Sequence, residues 1–363
     1  VLALVVALEI LAGHAQIAYM SFGIAILYFL SRLYHARRHP LRVRQAFALG
    51  ALALFVGFVA TGAQLLPMLE LFGLSTRERL PWEQANRFTL RWEHLVHFLA
   101  PYWHGNPARG DFWGRGNLWE SCVYIGLVSP GLAVYAFCRR IHRRAVVFFS
   151  LLAVFSLWLA LGKFAGLFWV AFYVVPGLAS FHDPARFTFL TTFALAVLAG
   201  YGLRALRDRG WSDRFRMGIV VAAAVNLWAF SAHINPTLDP APDSFVYRPR
   251  MMAYAPRMGE GRVYTAERQR TWDRFLNYSD YGPESARYAH ELTDTASPNI
   301  GMRFNVEEAG GYEPVPVKAV TEIDALARRA IERKSANLPA LMGLTNTSAI
   351  LLPEMTRYQY DGL

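Results

Sequence analysis

Lysine is nearly missing from this 363-residue chain: three of its 37 basic residues are Lys and the other 34 are Arg, a bias that gene base composition alone can produce. Charge of any kind is scarce. Asp, Glu, Lys and Arg make up 18% of the residues against 54% hydrophobic ones, and the mean hydropathy is positive at +0.21. So few charges on so apolar a chain exclude intrinsic disorder and argue against an ordinary soluble enzyme. Only two cysteines are present, Cys122 and Cys138, about 24 Å apart along a straight helix. A disulfide needs Cα atoms within roughly 7 Å, so they do not pair within such a helix. Cys/His clusters at zinc spacing are also lacking, so a structural metal is not indicated. The chain opens on Val1 with no basic n-region and no small-residue cleavage site. The expectation is a chain entered partway through a hydrophobic helix rather than a signal peptide.

Apolar runs of about 17 to 25 residues, long enough to cross a bilayer, recur through the first two thirds and then stop. They are Val1 to Ala12 (short), His14 to Ser31, Gln45 to Leu69, Ser121 to Cys138, Ala145 to Gly162, Phe164 to Phe181, Phe187 to Leu203 and Met217 to Ala232. Phe164 to Phe181 contains Gly166, Pro176 and Gly177, so it reads as re-entrant or interfacial, because irregular backbone facing lipid leaves peptide groups unsatisfied. The pattern predicts a polytopic helical membrane domain over 1–233 and an extracytoplasmic α+β domain over 234–363.

The formal charge of +10 raises nucleic acid as a partner until it is located. Arg32 to Arg44 holds five Arg and no acid, Arg139 to Arg144 four Arg and no acid, and Arg204 to Arg216 five Arg with Asp208 and Asp213. Basic residues in short loops mark the cytoplasmic side, so these three turns are expected inside and everything after Ala232 outside. The partner implied is the anionic leaflet of a bilayer, and no nucleic acid. In the tail, Pro236, Pro240 and Pro242 mark a linker. Arg262 to Thr265, Met302 to Val306 and Ser348 to Leu352 read as strands, and Thr321 to Lys334 as a helix opened by Thr and Glu.

Polar breaks collect on the expected outer face. Gly13-His14-Ala15-Gln16 either lines an aqueous cavity or is an interhelical turn. Glu9 reads as a packing carboxylate more than a catalytic one, and Asn226 as a link between helices. Pro67 is expected to break its helix at the interface, which puts Gln64 and Glu70 at headgroup depth. Arg77 and Arg79 then suit a phosphate or merely face phospholipid. The stretch from Trp82 to Trp119 is dense in Trp, Tyr and His, as sugar-stacking surfaces and interfacial aromatic belts both are. His94 and His97 share a helix face without a carboxylate to complete a metal site. Phe181-His182-Asp183-Pro184-Ala185-Arg186-Phe187 is the sharpest local signal: Arg186 can clamp a phosphate or pair with Asp183.

These pieces, in order, resemble the YfhO-type bacterial integral membrane proteins of the GT-C class of membrane glycosyltransferases. The resemblance rests on Gly13-His14-x-Gln16, on Gln64-x-x-Pro67-x-x-Glu70 with Ser75-x-Arg77, and on Pro101 to Gly105 before Tyr124-Ile125-Gly126. It continues with Phe181-x-x-Pro184-x-Arg186-Phe187, Pro298-Asn299 leading to Gly311-Tyr312, and Ser348 to Leu352. It implies transfer of a sugar from a polyprenyl-phosphate donor to a cell-envelope glycopolymer acceptor outside the bacterial cytoplasmic membrane, and leaves a divalent metal open. His14, Gln16, Gln64, Glu70, Arg77, Asp183 and Arg186 would be its substrate-binding residues. The acidic residue that GT-C enzymes place in the first external loop is expected upstream of Val1, so no catalytic residue is assigned. The competing expectation is a non-enzymatic multi-pass protein whose external domain recruits envelope partners.

Overall fold

The computed structural model describes residues 1–106, 109, 111–116, 118–234, 259–266, 299, 301–310 and 315–351. The chain divides into two compact units, Val1–Leu99 with Val123–Asn226, and Ala100–Cys122 with Leu227–Leu363.

In the first unit, helix α1 (Leu2–Leu11) is stopped by Gly13, whose φ of +77° is left-handed backbone open to glycine. His14 then caps α2 (Ala15–Ala36), its Nδ1 accepting from the Ile17 amide at 3.3 Å. Pro40 starts α3 (Pro40–Ala60), a position where a missing amide hydrogen does no harm. Gly57 lets α3 lie tight on α1, since a Cβ there would meet the Val6 side chain at 2.6 Å.

The run Gln45 to Leu69, expected as one span broken by Pro67, is two helices that part at Thr61. The Thr61 hydroxyl donates to the Gly57 and Phe58 carbonyls, both at 3.1 Å, and α4 (Gly62–Leu74) follows with Pro67 inside it. A hydroxyl competing for helix carbonyls at a Gly junction favours a break. Pro67 comes early in α4, where its ring displaces only the first-turn carbonyl of Ala63.

A short helix α5 (Trp82–Ala85) and a 3-10 helix at Trp92–Phe98 follow. The expected span Ser121 to Cys138 is also corrected. Past α6 (Leu118–Ser121), residues 122–127 are not helical, and α7 (Val128–Arg139) has 12 residues, about 18 Å of rise against a hydrocarbon core of about 30 Å. Gly126 takes φ +78°, and the Asn226 Oδ1 accepts from the Tyr124 hydroxyl at 2.7 Å and the Leu127 amide at 3.2 Å. Those contacts hold backbone that a helix would otherwise satisfy.

Helix α8 (Arg143–Ala160) leads to α9 (Leu167–Val174), which has only eight residues between Gly166 and Gly177 at φ +74° and +80°. Then come α10 (Thr188–Asp208) and α11 (Asp213–Ile234). The core joins α2, α8, α9 and α10 through Met20, Phe149, Leu152, Phe168, Leu190 and Leu198. Gly202 of α10 brings α7 so close that a Cβ would collide with the Leu132 carbonyl, and the Ser156 and Thr191 hydroxyls bond at 2.8 Å between α8 and α10. Small residues and buried hydroxyls are how helices associate where lipid removes the hydrophobic drive. Phe47, Leu52 and Phe55 on α3 and Val221, Val225 and Trp228 on α11 remain exposed, as lipid-facing positions are. Among the described residues, 5 helices are long and apolar enough to cross a membrane, within 15–36, 40–60, 143–160, 184–208 and 213–232. This is the make-up of an α-helical, multi-pass membrane protein.

In the second unit, the Tyr102 hydroxyl donates to the Phe230 carbonyl at 2.9 Å, and the Asp111 carboxylate accepts from the Asn106 amide at 2.6 Å to close a loop. Strand β1 (Arg262–Thr265) pairs in parallel with β2 (Thr347–Leu351), beside α12 (Lys318–Glu332) and α13 (Leu338–Leu344). Tyr264, Ala327 and Met342 form their core. Met302 to Val306 is not a strand: Gly301–Phe304 is a 3-10 turn, held because the Glu308 carboxylate accepts from the Asn299 and Gly301 amides at 3.0 and 2.6 Å. Thr321 does not open α12 but sits in its first turn, donating to the Val317 carbonyl at 3.1 Å. The proline linker and Pro298, Gly311 and Tyr312 lie outside the described residues.

Candidate functional site

Within the first unit two loops are stitched edge to edge. Leu80 N–H donates to Ala179 O (2.9 Å), Asp183 N–H to Ala85 O (3.1 Å) and Ala185 N–H to Phe88 O (3.2 Å), and the Ser180 hydroxyl donates to Glu78 O at 2.9 Å. The stitching holds Asp183 at φ +63°, left-handed backbone that a non-glycine residue adopts only when its surroundings impose it. Pro184 then starts a 3-10 turn, Pro184–Phe187, that feeds α10 and carries Arg186.

Arg186 reaches a residue 170 positions away. Its Nη1 donates to Gln16 Oε1 at 3.0 Å and its Nη2 to Asp183 Oδ2 at 3.0 Å. The Gln16 amide nitrogen donates in turn to the His182 carbonyl at 2.7 Å, so both ends of that buried amide are engaged. His182 Nδ1 contacts Asp183 Oδ2 as well. The Asp183 side chain is 2% exposed while that of Arg186 is 26% exposed. The carboxylate is therefore the buried anchor and the guanidinium the accessible member. Asp183 Oδ1 is buried without a hydrogen-bond partner, a spare acceptor beside the one oxygen already shared.

Next to this network lies an apolar groove of about 260 Å³. Tyr19 and Phe22 of α2, Phe58 of α3, Met68 and Phe72 of α4, and Phe181 line it. Its lining also includes Ala15 and Phe181, which immediately precede Gln16 and His182. The Tyr19 hydroxyl donates to Pro176 O at 2.8 Å and its ring lies 5.1 Å from that of Phe181, fixing one wall.

Of the seven residues expected to bind substrate, Gln16, Asp183 and Arg186 come together. Arg77 is half-buried on the stretch stitched to 179–180, its amide bonded to the Ser75 hydroxyl at 3.1 Å. His14 is the exposed cap of α2. Gln64 reaches the Ile10 carbonyl at 3.4 Å, joining α4 to α1, and Glu70 is exposed on α4. Phe181 belongs to the Phe181–Phe187 motif, whereas the other groove aromatics carried no sequence signal, being apolar residues within apolar runs. His94 and His97 are buried with stacked rings 5.5 Å apart, as the three-residue repeat of a 3-10 turn dictates. Among the described residues no three His, Cys, Asp or Glu side chains are grouped to hold a metal ion. Compared with known protein families, curated proteins and solved structures, the chain matches none.

Proposed function

We propose that this chain is a membrane glycosyltransferase of the YfhO-like GT-C kind, moving a sugar from a polyprenyl-phosphate donor to an envelope glycopolymer outside the bacterial cytoplasmic membrane. The observation that carries the reading is Arg186, a guanidinium anchored by a buried carboxylate and a buried amide beside an apolar groove between apolar helices. A lipid-linked phosphate has the matching form, an apolar chain ending in an anionic phosphate that Arg binds through two parallel hydrogen bonds. In the transfer, the acceptor hydroxyl oxygen attacks the anomeric carbon and gives its proton to a carboxylate base. The bond from that carbon to the lipid-phosphate oxygen breaks, and the phosphate leaves with the electron pair. Negative charge grows on the departing phosphate, so a fixed cation there favours the transition state over the ground state. The arginine-rich turns support a cytoplasmic placement for their end of the bundle and an external one for the tail. On this reading the residues from 234 onward form a small α+β domain.

The test uses the full-length protein, with any residues upstream of Val1, in membranes with a lipid-linked sugar donor. Arg186→Ala is expected to lower transfer by about 100-fold or more while insertion is retained, and Arg186→Lys to recover only part of it, since Lys lacks the planar fork. Wild-type transfer by Arg186→Ala would remove the assignment. Failure of the full-length wild-type protein to consume any lipid-linked sugar would favour a non-enzymatic, partner-recruiting membrane protein.

A further inference from the structure

The α7–α8 turn holds Arg139, Arg140, Arg143 and Arg144 within six residues, all exposed. Arg140 and His142 take left-handed backbone at φ +53° and +41° without being glycine, so the reversal is tight. It is also docked: the His142 ring lies 5.5 Å from that of Tyr201 on α10, where Gly202 admits the α7 backbone. One and two turns beyond Tyr201, α10 carries exposed Arg204 and Arg207. Helix packing thus gathers six guanidiniums, more than sixty residues apart in sequence at the extremes, at one end of the bundle.

Elsewhere arginines meet carboxylates, as in Arg91 with Glu93, Arg186 with Asp183, Arg216 with Asp213 and Arg328 with Asp324. Among the described residues, none of these six does. Arg139 only lies over the Tyr135 ring at 5.9 Å, and Asp208, the acid nearest in sequence, is exposed and paired with none of them. Like charges gathered at one end of a bundle repel and call for a counter-charge. Because α8 and α10 are long enough to cross a bilayer, their ends lie at headgroup depth. The counter-charge within reach there is a lipid phosphate.

We propose that the α7–α8 turn and the end of α10 form one binding site for the phosphate of an anionic phospholipid in the adjoining leaflet. The site is separate from the Arg186 network and does not depend on the transfer reaction. Arginine's fork takes phosphate oxygens in pairs, and each basic residue at an anionic surface changes association by about fivefold.

The full chain is reconstituted into nanodiscs of equal phosphatidylglycerol and phosphatidylcholine, and the lipid retained after mild detergent stripping is counted by native mass spectrometry. Wild-type protein should retain phosphatidylglycerol over phosphatidylcholine by about tenfold or more. Arg204→Gln with Arg207→Gln should cut that preference about fivefold or more, although neither residue lies in the turn. Arg139→Gln, Arg140→Gln, Arg143→Gln and Arg144→Gln together should abolish it, and Arg333→Gln, at the exposed end of α12, should leave it unchanged. Equal retention of the two lipids by the wild type overturns the proposal without any variant. Full preference in the Arg204→Gln/Arg207→Gln protein, or displacement of the lipid by millimolar inorganic phosphate, overturns it too.

Discussion

Asp183 combines three features at one position: burial, left-handed backbone and a carboxylate oxygen shared between Arg186 and His182. Removing it leaves a half-buried guanidinium with one fewer partner, and Asp183→Ala should lower stability by about 1 to 3 kcal/mol in thermal unfolding of the detergent-solubilised protein. Asp183→Gly relieves the backbone as well and should lose less. A second residue-scale test lies outside the spans. Burial pushes the Tyr102 phenol up to about 12, Cys122 adding to the rise and Arg109 opposing it. The folded chain then holds this proton where the unfolded chain, with a phenol near 10, releases it. Stability accordingly falls as pH climbs from about 10 to about 12. Tyr102→Phe should flatten that slope in denaturation measured across the window and remove one late phenol from the ultraviolet titration. His182 and Asp183 drew attention as sequence because charge beside an apolar run is rare. Their link to Gln16 was not legible, since nothing in local spacing relates residues 166 or 170 apart.

Among the elements, α10 carries the tightest packing, and its glycines separate two roles. A Cβ at Gly202 collides with the Leu132 carbonyl, whereas one at Gly200 meets nothing within 4 Å. Gly202→Val should therefore destabilise the bundle by about 1 to 3 kcal/mol through overpacking. Gly200→Ala should be neutral or stabilising by up to about 1 kcal/mol, since helix propensity then acts alone. Thermal melts of both in the same detergent decide the matter. Apolar runs revealed most long helices but misplaced their breaks. Gln45 to Leu69 and Ser121 to Cys138 stay apolar across Thr61 and across residues 122–127, so composition is silent where the chain turns. The breaks depend on hydrogen bonds that replace the helical ones: the Thr61 hydroxyl locally, and Asn226 from another helix. Met302 to Val306 alternates like a strand, but the Glu308 carboxylate supplies its turn with acceptors that no alternation pattern records.

For the whole molecule, the charge distribution makes the boldest statement. The three arginine-rich turns carry fourteen Arg and two Asp, a net +12; the tail from His233 carries 15 basic and 17 acidic residues, a net −2; the remainder balances at eight of each. That asymmetry predicts opposite sides for Arg140 and Ser285. With Cys122 and Cys138 replaced by Ser, Ser285→Cys should react with an impermeant maleimide in intact cells and Arg140→Cys only after lysis. The reverse pattern would invert the orientation. By itself the sequence determined the solvent of this protein and the signed ends of its helices, because partition into lipid and attraction to an anionic leaflet follow from composition over about twenty residues. Only the tertiary structure decided which polar residues act together. Gln16 reaches Arg186, and the Arg139–Arg144 turn reaches Tyr201 on α10, through helix packing that in the second case the missing side chain of Gly202 allows. Close packing of that kind is a property of surfaces in three dimensions and leaves no period along the chain.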